Sequence, residues 1–142
     1  MIEALQQSPA LAVGTALVFG LMIGSFLNVV VYRLPKMMEL EWEAQAAELR
    51  GEDPPAAERF NLLVPRSRCP SCGHPLGALE NIPLLSWLIQ RGRCKACGTA
   101  ISARYPLVEL ATGLLTALAI WRFGATWAGL GAALLGFVLI AL

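Results

Sequence analysis

Pro9-Ala-Leu-Ala-Val-Gly-Thr-Ala-Leu-Val-Phe-Gly20-Leu-Met-Ile-Gly24-Ser25-Phe-Leu-Asn28-Val-Val-Val-Tyr-Arg33-Leu-Pro35-Lys36 decides what kind of protein this is. No charged residue occurs between Ala4 and Tyr32, which is longer than the roughly 20 apolar residues needed to cross a bilayer. The stretch lacks the basic start and small-residue cleavage site of a secretory signal, so it reads as a retained transmembrane helix over 9–33. Pro9 suits its first turn, where the missing N–H costs nothing. Gly20-x-x-x-Gly24 is a spacing that lets a second helix approach closely. Asn28 lies one turn further along the same face, and an amide in hydrocarbon needs a polar partner on another helix.

Outward from this helix, the composition agrees. Of 142 residues 56% are hydrophobic and 15% charged, with a mean hydropathy of +0.59. The apolar residues collect at the two ends and leave a polar middle. A net charge of +1 gives no basic field for nucleic acid. Arg33, Pro35 and Lys36 are expected to end the first helix, and Met37 to Arg50 to form a separate acidic helix stopped by Gly51. Glu52-Asp53-Pro54-Pro55 reads as a linker. Residues 39–58 hold seven acids and one base, whereas residues 59–104 hold seven bases and one acid. The two halves could pack on each other, or the basic half could lie on anionic lipid.

The middle region carries all four cysteines, in Cys69-Pro-Ser-Cys72-Gly73 and Cys94-Lys-Ala-Cys97-Gly98. Two thiolates three residues apart reach one cation from a single tight turn, and the following glycine closes that turn at positive φ. Two such turns make a closed four-thiolate zinc site, which is structural because no position is left for water or substrate. Two disulfides or a redox-active pair would use the same residues, although no βαβ pattern accompanies them. His74 could replace a cysteine, but with four thiolates filling the shell it reads as a surface residue. Between the knuckles, Asn81 to Gln90 is too short to span. It reads either as a helix beginning near Pro83 at the membrane interface, with Trp87 at headgroup depth, or as a small core beside the metal.

Two further apolar segments follow, over 105–121 and 125–142, the first opened by Arg104-Tyr105-Pro106 and containing the single charge Glu109. Nothing polar follows the last, so the chain reads as a fragment or a shortened protein. Ten of the eleven Lys and Arg residues lie between Arg33 and Arg104. That asymmetry places residues 34–104 in the cytoplasm and the N-terminus outside. Reducing conditions in the cytoplasm favour zinc over disulfides. The expected architecture is a mostly α-helical polytopic membrane protein: three transmembrane helices and a cytoplasmic, zinc-ribbon-like insertion with a four-cysteine site. Asn28 and Glu109 each lie five residues inside a flanking arginine, which predicts similar depth. An intramembrane carboxylate is a candidate functional group, with Asn28, Arg33 or Arg104 as expected partners.

Several motifs occur in one order that resembles a known family. Gly24-Ser-Phe-Leu-Asn28-Val-Val-Val-Tyr-Arg33-Leu-Pro35, Ser67-Arg-Cys69-Pro-Ser-Cys72, Asn81-Ile-Pro83 with Ser86 and Trp87, Gly92-Arg-Cys94-Lys-Ala-Cys97-Gly98, Ile101-Ser-x-Arg104-Tyr105-Pro106 and Glu109-x-x-Thr112-Gly113 are similar to the N-terminal half of the bifunctional prepilin leader peptidases. The resemblance implies a multi-pass enzyme of the bacterial inner membrane, in type IV pilus or type II secretion systems, with its N-terminus in the periplasm. Such enzymes cleave the leaders of prepilins or pseudopilins and methylate the new N-terminus with S-adenosylmethionine. The peptidase of that family works through two membrane aspartates, one in Gly-x-Gly-Asp. Here the only aspartate is Asp53, and a dyad needs two carboxyls sharing a site. The chain is therefore expected not to cleave prepilin alone; a C-terminal catalytic half is a candidate partner, and the sequence leaves open whether the parent protein has one. No glycine-rich strand–turn–helix element of the soluble methyltransferase kind is present. Asn28, Arg33, Arg104 and Glu109 are the remaining candidates for a substrate or cofactor site. The rival functions are a noncatalytic zinc-bearing scaffold that binds prepilin, a membrane redox protein, and a DNA-binding ribbon, the last disfavoured by the near-zero net charge.

Overall fold

The computed structural model describes residues 8–53, 60–77 and 79–142. It is helical, with no β-strand among the described residues: α1 spans Pro9–Leu49, a 3-10 turn Leu79–Asn81, α2 Leu85–Ile89, α3 Arg104–Phe123 and α4 Trp127–Ala141. Two helices, α1 and α3, are long and apolar enough to cross a membrane. α4 fills the expected third span but has only 15 residues, or about 22 Å at 1.5 Å per residue, short of a hydrocarbon core of about 30 Å. Of the three expected spans, two are thus long and apolar enough to cross, and the third is a shorter apolar helix.

α1 does not stop at Arg33–Lys36. It runs for 41 residues through Pro35, about 60 Å and so roughly twice the hydrocarbon thickness. The charged residues mark where the helix leaves the apolar layer, not where it ends. Proline deprives the Val31 carbonyl of its partner. The next residues, Met37 to Leu49, are nearly all strong helix formers, however, and extending a helix costs far less than nucleating another. The expected acidic helix is thus the outer half of α1, and Met38, Trp42 and Leu49 on it are exposed rather than a buried face. Its stop is the one expected. Gly51 takes φ +71°, the Gly51 amide donates to the Glu48 carbonyl and the Glu52 amide to that of Ala47, both at 3.0 Å, which is a Schellman closure. Two residues of the linker, Pro54 and Pro55, lie outside the described residues. The two ion pairs among the described residues, Arg50–Glu52 and His74–Glu80, are local; among those residues, the acidic and basic halves do not clasp each other through salt bridges.

α1 and α3 run antiparallel and meet along small residues. Ala12, Ala16, Gly20 and Gly24 form a buried stripe at four-residue spacing on α1, longer than the Gly-x-x-x-Gly motif alone. Glu109, Thr112, Gly113, Thr116 and Ala119 line the facing side of α3. A Cβ on Gly20 would come within 2.8 Å of Gly113 Cα, and Leu21 Cδ2 would stand 2.8 Å from one on Gly113. Such closeness lets dispersion hold two helices that gain nothing from excluding water in lipid. The buried hydroxyls are satisfied within α3: Thr112 Oγ1 lies 2.9 Å from the Val108 and Glu109 carbonyls, and Thr116 donates to the Thr112 carbonyl at 2.6 Å. The Thr126 hydroxyl caps α4 by accepting from the Gly129 amide.

Candidate metal centre

The two Cys-x-x-Cys segments fold into matching knuckles. In the first, the Gly73 amide donates to the Cys69 carbonyl and the Cys69 amide to that of His74; in the second, Gly98 donates to Cys94 and Cys94 to Thr99. Gly73 and Gly98 take φ of +70° and +71°, the left-handed turn read from their position. One isolated antiparallel bridge closes each, Arg68 with Pro75 and Arg93 with Ala100, so the insert is a pair of knuckles without ribbon strands among the described residues.

The knuckles bring all four Sγ atoms within 4.8 Å of one another. Cys69 and Cys97 are 3.8 Å apart at sulfur, and Cys72 and Cys94 3.9 Å. Sulfurs tetrahedrally placed about 2.3 Å from a zinc ion stand about 3.8 Å apart, whereas a disulfide needs about 2.05 Å. All four are free thiols. The donor set and its spacing fit a metal ion, with Cys69 and Cys94 buried and Cys72 and Cys97 exposed. The sulfurs compete for charge. The Thr99 hydroxyl and amide hold Cys97 down at about 6. The His74 amide favours the Cys72 thiolate, yet burial and the three neighbouring sulfurs push Cys72 up to about 12. Charge on one sulfur disfavours charge on its neighbours, which accounts for the opposed shifts, and four adjacent thiolates are stable only around a cation. His74 is not among the clustered ligands; its Nε2 faces Glu80 Oε2 at 3.4 Å. The Gly77 amide, His74 and Lys95 together hold the Glu80 carboxyl below its usual range.

Trp87 is half-buried and tied to the second knuckle. Its Nε1 donates to the Ile101 carbonyl at 3.2 Å, and its ring covers Gly92, where a Cβ would fall 2.8 Å from Cζ2. Gly92 takes φ +67°, so both space and conformation call for glycine.

The polar residues singled out in the sequence each find a separate partner. Asn28 does face another helix: its Nδ2 donates to the Tyr105 carbonyl at 3.0 Å. It is thus level with the start of α3, one turn short of Glu109, and Gly24 is the residue opposite Glu109. Glu109 is buried and pairs with none of Asn28, Arg33 or Arg104. Its Oε2 accepts from the Leu84 amide at 2.8 Å. Arg33 is buried as well, donating to the Asn61 carbonyl at 2.8 Å and to that of Pro65 at 2.5 Å, with its guanidinium over Phe60. Arg104 is exposed. Two surface concavities, beside Val18 and Phe19 and beside Leu115 and Trp121, contain none of the four. These residues do not form one pocket, so no methyl-transfer step is assigned to them.

Arg33 is the residue whose role the sequence did not disclose. The loop it grips is otherwise held by Asn61 Oδ1, which accepts from the Leu63 and Val64 amides. Arg33→Ala is expected to cost about 1.5–3 kcal/mol locally, the range for hydrogen bonds made by a charged group. Arg33→Lys recovers only part, since one ammonium cannot reproduce the planar fork. Tryptic cleavage after Arg66 and Arg68, faster in Arg33→Ala than in the parent chain and intermediate in Arg33→Lys, checks this.

With the geometry in place, comparison with known proteins gives the class first. The bacterial peptidase A24 N-terminal domain matches residues 18–123, and the chain belongs to this family. Proteins named prepilin leader peptidase/N-methyltransferase are similar to it along its whole length: that of Aeromonas salmonicida strain A449 at 52% identity and that of Pseudomonas aeruginosa at 48%. The Burkholderia pseudomallei strain 1026b protein of the same name is 53% identical over 82% of the chain. The chain covers 50%, 49% and 39% of these three proteins, so it spans about half the length of the relatives it matches or less. No solved structure matches.

Proposed function

We propose that this chain is the N-terminal half of a prepilin leader peptidase/N-methyltransferase of the bacterial inner membrane. In this reading the longer protein cleaves the leader of type IV prepilins or pseudopilins and methylates the new amino terminus with S-adenosylmethionine. The observation that carries the proposal is whole-chain similarity to the N-terminal half of proteins bearing that name. The N-terminus lies in the periplasm and the knuckles, holding Zn2+, in the cytoplasm, as the placement of Lys and Arg supports. The zinc is structural: its four thiolates leave no open coordination position, and it shapes a surface beside the membrane on which a leader would lie.

The chain alone supplies no peptidase dyad. Asp53 is its only aspartate, and Glu109 is held by a backbone amide and not by a second carboxyl. This favours a scaffold role for the isolated chain, with the catalytic carboxylates contributed by a second half. A chimera carrying residues 1–142 in place of the matching half of the Pseudomonas aeruginosa relative is expected to restore both leader cleavage and N-terminal methylation. The readout is mass spectrometry of the mature pilin's first peptide. The isolated chain in lipid is expected to leave the same prepilin uncut. Cleavage by the isolated chain, or a folded and membrane-inserted chimera with neither activity, overturns the reading.

A further inference from the structure

We propose that Leu79–Ile89 is set into the lipid headgroup layer at the Arg104 end of α3, with Glu109 as the positioning residue that fixes its depth. The inference rests on the membrane placement of α1 and α3 given above. The segment presents an apolar surface with no protein against it among the described residues: Leu79, Leu85, Leu88 and Ile89 are 79%, 55%, 64% and 75% exposed. Apolar residues this open need a cover, and their position says what it is. Glu109 lies five residues past Arg104, about 7 Å along the axis of α3. Its carboxylate holds the Leu84 amide at 2.8 Å. Because a helical side chain leans toward the N-terminus of its helix, the Leu84 amide sits between the level of Arg104 and about 7 Å below it, which overlaps the roughly 5–10 Å depth at which interfacial helices bury an apolar face.

The surroundings match that depth. Leu84 adopts φ 60°, a conformation unfavourable for leucine, and its amide has a membrane-helix carboxylate as partner. Arg91 and Arg93 follow directly and are exposed, as is Arg104, so cationic side chains border the apolar patch where lipid phosphates lie. The zinc knuckles, through the Trp87 bond to Ile101, support the segment from the aqueous side. Lipid is thus the occupant the charge and depth select.

A photo-crosslinking benzophenone residue placed at Leu88 tests this in the zinc-loaded chain, reconstituted in phosphatidylethanolamine and phosphatidylglycerol vesicles. Mass spectrometry then counts phospholipid adducts. Leu114, exposed on α3, serves as the intramembrane reference and Glu43, on the outer half of α1, as the aqueous one. Adducts at positions 88 and 114 but not at 43 are expected. Glu109→Ala is expected to lower the yield at 88 at least fivefold with that at 114 unchanged. Glu109→Gln, whose amide oxygen still accepts, restores it. Adducts at 114 without adducts at 88 overturn the inference alone. Absence at both overturns the membrane placement. Protein rather than lipid adducts at 88 in the full-length parent show that protein covers the patch, and overturn it too.

Discussion

Replacing Gly24 with leucine is expected to separate α1 from α3. A Cβ at this position would overlap Thr112 Oγ1 and come within 2.7 Å of Glu109 Cα. The first neighbour cannot swing away, because Thr112 is fully buried and its hydroxyl is bonded to the Val108 and Glu109 carbonyls. The second is backbone. Overpacking of one or two methylenes costs about 1–3 kcal/mol; four added carbons against a rigid backbone exceed that. The loss spreads, because the same register sets the Asn28 bond to Tyr105 and lays Gly20 against Gly113 and Thr116. Gly14→Leu is the matched control: nothing lies within 4 Å of its added Cβ, so it is expected to be neutral. The measurement is thermal unfolding of both variants in the same detergent, followed by tryptophan fluorescence. A Gly24→Leu transition at the parent temperature would remove close packing as the link between the two helices.

Much of this architecture is readable from residue order. Gly20, Gly24 and Asn28 share a face by helical period alone, and cysteine spacing specifies a four-sulfur cluster without tertiary knowledge. The unread parts depend on partners that leave no mark in side-chain identity. Glu109 pairs with a backbone amide, which every residue except proline carries, so no pattern singles out Leu84. Arg33 likewise grips two carbonyls that only the folded loop presents. The end of α1 is not legible at Arg33–Lys36 because charge and proline signal departure from lipid, while the continuation depends on the summed propensity of the following thirteen residues. The equal depth of Asn28 and Glu109, counted from flanking arginines, fails because α1 and α3 are offset by one turn.

Cys94→Ser is expected to abolish metal binding and unfold the insert while leaving α1 and α3 paired. Among the described residues of 60–101, only Cys69, Gly92 and Cys94 are buried, so almost no hydrophobic core exists to hold the knuckles once the metal is gone. Metal binding is then the folding energy of the insert, on the order of 10–16 kcal/mol in isolated structural zinc units. Serine removes the buried thiolate of the second knuckle and leaves three ligands around an ion that wants four. Bound zinc is expected to fall from one per chain to near none, with rapid tryptic cutting after Arg66, Arg68, Arg93 and Lys95. Trp87, which leans on Gly92 two residues before Cys94, should report the change in fluorescence. Lowering the pH should act in the same direction on the unmutated chain: the ligands bind as thiolates, protons compete with the ion, and zinc is released as the pH falls. The α1–α3 contact contains no residue of the knuckles, so protease resistance of the membrane helices should persist in both cases. Intact resistance of residues 60–104 in a zinc-free Cys94→Ser chain would mean that the knuckles stand without metal.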